Sequence, residues 1–156
     1  MTDEEIYSLW FSKTDDLRYL RPRRWKEIKE IIVKRKVKSV LEFGSGVSTL
    51  LFSNMGLKVL SLETKPRYMK FVKSMCSPKV ALRVWNNKNA NIKDHYDLSL
   101  VDGVLPRNDQ LRLAVKHSNI IVVDDFNEYL ITEVPSRCKR IDPKTTTLAI
   151  FEKVNG

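Results

Sequence analysis

Val40-Leu41-Glu42-Phe43-Gly44-Ser45-Gly46-Val47-Ser48-Thr49-Leu50 decides how this chain reads. An apolar run that starts after Lys38 ends at Glu42-Phe43, two glycines follow, and a helix-like stretch resumes at Val47. A short apolar run bounded by glycine reads as a buried strand. Gly44 and Gly46 carry no Cβ, so the backbone there can turn sharply and approach a ligand closely. A helix opening after such a turn points its free N–H groups and positive dipole end back at that ligand. The stretch therefore predicts a strand–turn–helix unit around a small-molecule cofactor. A dinucleotide fingerprint would need a third glycine, and that position is Thr49.

Downstream, Leu57-Lys58-Val59-Leu60-Ser61-Leu62-Glu63 reads as a second strand ending in an acid, followed by Thr64. It lies roughly 20 residues past the glycine turn, where a carboxylate can accept two hydrogen bonds from a ribose diol. The competing reading of Glu63 is an exposed strand-end carboxylate.

Helix and strand patterns alternate along the rest of the chain, which predicts an α/β protein with a parallel sheet covered by helices on both faces. Helices are expected near 3–11 and 23–36, with Pro22 at the start of the second, where proline is tolerated. Strands are expected at 38–43, 58–62, 80–84, 96–101 and 119–123. Helices are expected at 47–55, with Gly56 as its stop, from Pro66 to about 75, and over 107–117. Residues 86–91 read as polar loop or a poor helix. The tail changes character: 136–141 and 146–152, around Asp142-Pro143-Lys144, predict an antiparallel hairpin.

At 156 residues the chain is expected to be one domain. Its apolar and charged fractions, 42% and 30%, exclude a disordered or membrane-embedded class. No apolar run approaches the roughly 20 residues that span a bilayer, and Thr2-Asp3-Glu4-Glu5 does not resemble a signal peptide. Cys76 and Cys138 show no metal or redox spacing, so a reducing, cytoplasmic setting is expected.

The net charge of +9 is concentrated between Arg18 and Lys38, where ten cationic side chains face only Glu27 and Glu30. Such a stripe suits nucleic acid, a nucleotide-linked substrate or an acidic partner. Equally, Trp25, Ile28, Ile31 and Ile32 fall at helical spacing, so the charges would occupy a solvated helix face.

In an open parallel sheet, ligands bind beyond the carboxyl ends of the strands. That rule gathers Glu42 to Gly46, Glu63 to Thr64, Trp85 to Asn87, Asp102, and Asp124 to Asn127 at one edge. His95 and His117 precede strands and fall at the opposite edge, as does Asp97, so none of the three is a candidate base. Asp102, Asp124 and Asp125 follow neighbouring strands and should approach one another. Clustered carboxylates either hold a cation or raise one another's pKa, and both outcomes suit a proton-accepting role. They could also simply cap the helices that follow them.

Glu42-Phe43-Gly44-Ser45-Gly46-Val47-Ser48 resembles the first motif of class I S-adenosylmethionine-dependent methyltransferases, E/D-x-G-x-G-x-G, with Ser48 in place of the last glycine. Val101-Asp102-Gly103 with Asp124-Asp125 further resembles the O-methyltransferases that act on catechols and on sugars or glycans. The resemblance implies a Rossmann-like, doubly wound sheet of five parallel strands plus a C-terminal antiparallel hairpin. It implies S-adenosylmethionine held by Glu42, Gly44, Ser45, Gly46, Ser48, Thr49, Glu63, Thr64, Trp85, Asn86 and Asp102. It further implies a divalent metal, Mg²⁺ for instance, on Asp102, Asp124 and Asp125, which would bind acceptor oxygens and lower a hydroxyl pKa.

The chain departs from the catechol type, which places a lysine shortly after the first aspartate; here stand Val104, Leu105 and Pro106. Asp102 or Asp125 would then be the base, as in sugar-modifying relatives. Trp85 reads equally as a residue that stacks on adenine and as one of the core. Arg107 and Arg112 would meet an anionic substrate or line a solvated helix face, and residues 19–23 would fold over the cofactor by analogy alone.

The expected activity is thus O-methylation of a small-molecule or glycan hydroxyl, the acceptor free or nucleotide-linked, with the metal optional. A nucleic-acid or nucleotide methyltransferase ranks behind it, since neither an N/D-P-P-Y/F tetrapeptide nor a Lys-Asp-Lys-Glu tetrad can be assembled. A non-catalytic cofactor-binding module of a larger assembly is the reading from another class. Exposed apolar helix faces would allow a homodimer.

Overall fold

Strand β1 (Ser39–Phe43) runs through the middle of the molecule with its last four residues buried. It is preceded by α1 (Asp3–Lys13) and α2 (Pro22–Arg35) and followed by α3 (Val47–Asn54). Then come β2 (Lys58–Glu63), a 3₁₀ turn over Pro66–Tyr68 leading into α4 (Met69–Met75), β3 (Val80–Val84) and β4 (Tyr96–Val101). α5 (Arg107–His117), β5 (Ser118–Val123), β6 (Cys138–Arg140) and β7 (Ala149–Lys153) complete the order. The computed structural model describes residues 1–86, 90–103, 107–126, 137–141 and 148–154. Asn87, Val104 to Pro106, Asn127 and the hairpin turn at 142–144 lie outside the described residues.

The seven described strands form one sheet in the order β3-β2-β1-β4-β5-β7-β6. β3 to β5 pair parallel, whereas β7 runs antiparallel to β5 and β6 antiparallel to β7. This is the Rossmann-like arrangement with a terminal hairpin that the sequence predicts. The connection order reverses between β1 and β4, which opens a crevice at their carboxyl ends.

Side-chain alternation along β1 sorts the two faces of the sheet. Val40 packs with Trp25, Ile28, Phe52 and Val72, so α1 to α4 cover that face. Leu41 and Phe43 pack with Leu111, Ala114 and Phe151 on the other, under α5. Local chemistry sets the helix ends. Thr2 and Glu5 form a reciprocal capping box at the start of α1, at 3.2 and 2.7 Å. α2 opens on Pro22 and closes at Lys36 in the left-handed conformation. Gly56, at φ +75°, ends the turn after α3. Among the described residues no helix is long and apolar enough to cross a membrane.

The lower edge of the sheet is held by Asp97, whose Oδ2 accepts from the N–H groups of Lys38 and Ser39 at 2.8 and 3.0 Å. His95 contacts Asn119 and His117 contacts the carbonyl of Asp94 at the same edge. The three polar residues set aside as bases therefore serve the fold at the edge remote from the crevice.

Candidate active site

The glycine turn closes β1 onto its neighbours. Gly44 adopts φ +94° and donates to the carbonyl of Leu62 at 2.8 Å. A Cβ at Gly44 would lie 3.0 Å from both the Asp102 carbonyl oxygen and the Gly103 Cα. Conformation and space both require glycine here. Ser45 then donates its N–H to Glu63 Oε2 at 2.9 Å, with its hydroxyl 3.3 Å from the same oxygen. The other Glu63 oxygen accepts from the Lys65 N–H at 2.7 Å. A carboxylate offers about four acceptor sites, so Glu63 can still receive a ligand hydroxyl, and a second if the long Ser45 hydroxyl contact yields. Thr64 is half-buried beside it.

Glu42, Ser48 and Thr49 lie beneath the turn, all buried. The Ser48 and Thr49 hydroxyls donate to Glu42 Oε1 and Oε2 at 2.5 and 2.6 Å, and Thr49 Oγ1 accepts the Gly46 N–H at 3.0 Å. Burial raises the Glu42 carboxyl to about 7, the nearby Glu63 charge adds to this, and the hydroxyl hydrogen bonds oppose it. These three residues tie the turn to the first turn of α3. The Trp10 ring of α1 lies against Gly46 from outside, 3.6 Å from where a Cβ would stand.

Trp85 follows β3 and is 3% exposed, its ring 5.4 Å from that of Phe43, so it forms part of the core on the α5 face. Of the two readings open for Trp85, the packing is that of the core. Asn86, next along, is exposed.

The acids converge. Asp102 continues β4, its N–H donating to Phe43 O at 3.1 Å, and Asp124 continues β5, donating to Val101 O at 3.1 Å. One carboxylate oxygen from each of Asp102, Asp124 and Asp125 lies within 4.8 Å of the others. Asp125 adopts φ +51°, a left-handed turn that brings its side chain back toward its neighbour. Burial raises the Asp102 carboxyl well above the usual range, and the Asp124 charge reinforces this against the pull of Arg107. Asp124, 2% exposed, is raised by burial and by Asp125, against Arg24 and Arg107.

Two arginines complete the site: Arg24, which the sequence does not single out, and Arg107. Arg24 Nη1, from the first turn of α2, lies 2.7 Å from Asp124 Oδ1 and 2.5 Å from Asp125 Oδ1. Arg107 donates to the carbonyls of Gly103 and Asp124 and lies 3.5 Å from Asp102. The solvated-face expectation for Arg107 is corrected: it is 4% exposed, because two main-chain carbonyls and a carboxylate replace its water. Arg112 does lie outside, paired with Asp109 at 3.0 Å. In the 19–21 segment Tyr7 Oη donates to the Leu20 carbonyl and Arg21 to Tyr19 Oη. The residue that reaches in is Arg24. One signal could have found it, since it stands four residues before buried Ile28 and so falls on the inward stripe of α2.

The donor set is hard carboxylate oxygen, which suits Mg²⁺, Mn²⁺ or Ca²⁺. A guanidinium already lies between two of the three acids, so the cluster has the shape and charge to receive a cation. At the glycine turn, the half-buried Glu63 carboxylate beside the start of α3 fits a ribose-bearing cofactor.

No protein-family model and no curated protein matches the chain. Solved structures do. A Staphylococcus aureus protein assigned as a caffeoyl-CoA O-methyltransferase superposes with TM-score 0.76 at 14% identity, covering 99% of this chain and 93% of that one. The Bacillus cereus O-methyltransferase in complex with SAH gives 0.69 at 16% identity, covering 97% and 90%. The O-methyltransferase TomG from Streptomyces achromogenes, involved in tomaymycin synthesis and in complex with SAM, gives 0.71 at 15% identity, covering 99% and 92%. At such identities the likeness establishes the fold over nearly the whole chain.

Proposed function

We propose that this chain is an S-adenosylmethionine-dependent O-methyltransferase that modifies a hydroxyl of a sugar or similar polyol, assisted by a divalent cation. The observation that carries the reading is the convergence of Asp102, Asp124 and Asp125 beside the Gly44 turn, at the switch between β1 and β4. A proton-accepting, cation-attracting cluster next to a ribose-binding carboxylate is what transfer of a methyl group to oxygen needs. The solved O-methyltransferases of this fold, with SAM or SAH in their complexes, support it.

In this reading Glu63 takes the ribose hydroxyls, and the N–H groups at the start of α3 face the cofactor's carboxylate end. Transfer is an in-line displacement from sulfonium to oxygen, so most of the work is positioning. With no cation bound, Asp102, whose affinity for a proton is raised by burial, accepts the acceptor's hydroxyl proton as the C–O bond forms and the methyl–sulfonium bond breaks. A divalent cation on the three acids would supply Lewis-acid polarisation of that hydroxyl. Arg107 fixes Asp102 and Asp124 relative to each other.

A sugar suits the site because Val104, Leu105 and Pro106 stand where a catechol-type enzyme places a lysine, leaving carboxylates to act as base. The exposed cations Arg21 and Arg23 precede Arg24 in the chain and favour an acceptor that carries a phosphate, as a nucleotide-linked sugar does.

Calorimetric titration with S-adenosylhomocysteine, with and without Mg²⁺, tests the core of the proposal. Micromolar binding is expected, followed by methyl transfer from labelled S-adenosylmethionine to a panel of free and nucleotide-linked sugars. No binding in either condition would overturn the cofactor assignment.

A further inference from the structure

The cation position of the acid cluster is contested from within the chain. Arg24 Nη1 forks between Asp124 Oδ1 and Asp125 Oδ1 at 2.7 and 2.5 Å, the two acids after β5 that the cluster would offer a metal. We propose that Arg24 acts as an intramolecular cation that competes with a divalent metal for the Asp124–Asp125 pair, so that metal loading requires its side chain to swing out. The inference rests on the cation site proposed above and adds a residue that sets how readily the site is filled.

Two features make Arg24 the exchangeable member. First, its helix is fixed while its side chain extends to the surface. α2 is anchored by Trp25, Ile28 and Ile32 in the core, and Asp3 of α1 clasps it through Trp25 Nε1 at 2.9 Å and Lys29 Nζ at 2.7 Å. The Arg24 side chain itself is 19% exposed, with several rotatable bonds between the helix and its guanidinium. Arg107, at 4% exposure and bound to two main-chain carbonyls, cannot leave without breaking the strand ends apart.

Second, the charges favour exchange. Three carboxylates with Arg24 and Arg107 carry a formal net charge of minus one, by counting the groups. Replacing Arg24 by a divalent ion brings that formal sum to zero. A metal added while Arg24 stays would instead place a third cationic centre within a few ångströms of two guanidiniums, which repulsion disfavours. The guanidinium and the metal are therefore alternatives at one position. In the absence of metal, Arg24 keeps two buried or half-buried carboxylates from facing each other uncompensated.

The test uses Mn²⁺ alone as the probe, titrated calorimetrically into the whole chain as wild type, Arg24→Met and Arg24→Lys. S-adenosylhomocysteine binding, measured on each, reports that the fold is intact. Arg24→Met should bind Mn²⁺ about tenfold more tightly or better, the scale of losing one charge-assisted hydrogen-bond competitor. Arg24→Lys should fall between, because the shorter, more strongly hydrated ammonium competes less well for the acids; it carries the comparison should Arg24→Met not fold. Equal or weaker Mn²⁺ affinity in the folded variants overturns the competition while leaving the cation site standing. Absence of Mn²⁺ binding in every variant, with S-adenosylhomocysteine still bound, overturns the cation site and the inference with it.

Discussion

Arg107 donates from the first residue of α5 to the main-chain carbonyl of Asp124 at the end of β5, and its guanidinium also lies 3.5 Å from the Asp102 carboxylate at the end of β4. One buried side chain thus clamps the ends of two adjacent strands. Replacing Arg107 with Met keeps much of its volume but strands two buried acids and two carbonyls. A loss of about 3 kcal/mol in urea-unfolding stability is expected. A loss below about 1 kcal/mol would mean that water takes over the clamp.

Glu63→Ala should reduce S-adenosylhomocysteine affinity by about a hundredfold, since two hydrogen bonds to a charged acceptor vanish together. Circular dichroism should show an intact fold, because the half-buried side chain touches only the turn. Retained affinity would remove Glu63 from the ribose role.

At Gly44 an alanine meets two penalties at once, a positive φ of +94° and main-chain atoms at 3.0 Å. The expected cost is about 1–3 kcal/mol from the strained conformation, with more from displacement of the Asp102–Gly103 turn. Gly56, at φ +75° with open space around it, serves as the control. Gly56→Ala has the backbone strain but no clash, so Gly44→Ala should lower the thermal midpoint further.

The buried Glu42 carboxyl makes stability depend on pH. Its folded pKa, about 7, exceeds the value of 4.5 for a free carboxyl. The folded chain therefore holds this proton more tightly than the unfolded chain. The stabilising contribution is complete below about 4.5 and is lost as pH rises through about 7. The span corresponds to on the order of 3 kcal/mol. Glu42→Gln, which cannot ionise, should remove this slope from denaturant titrations between pH 4.5 and pH 7. Asp102 and Asp124, also raised, contribute slopes of the same sign; the Glu42 charge adds to the rise at Asp102, so the difference between the two proteins reports Glu42 together with that coupling. Parallel pH profiles would mean that folding does not raise the Glu42 carboxyl, as for a well-solvated group.

Asp102→Asn should lower methyl transfer by about a hundredfold or more while S-adenosylhomocysteine binding changes little, the signature of a lost proton acceptor. Full turnover would shift the base assignment to Asp125.

The sheet was legible because each parallel strand is a short apolar run, and four of them end in an acid that the crevice uses. The glycine turn was legible because two glycines so placed have few other uses. Arg24 was hard to see, being one of ten cations in a stretch whose other members mostly face solvent. Its inward reach depends on the rotation of α2 about its axis, and the core settles that through Trp25 and Ile28. Arg107 reads as a helix-surface charge or an anion contact, because the Asp124 carbonyl that helps bury it ends another strand, 17 residues on. Trp85 could not be assigned by pattern, since a large aromatic at a strand end serves stacking and packing equally well.

Gly44 touches Asp102 and Gly103 main chain to main chain, with no side chain interposed. Side chains repack and rotate, so distances set by them drift under mutation; a backbone contact across adjacent strands does not. The gap between the cofactor turn and the acid-bearing turn is thus a ruler fixed by strand spacing, about 4.8 Å, and by the absence of a single carbon atom. Acceptor choice can diversify around the rim through α2 and its neighbours without altering the span the methyl group must cross. Changes that lengthen the ruler should instead leave both ligands bound and the transfer between them slow.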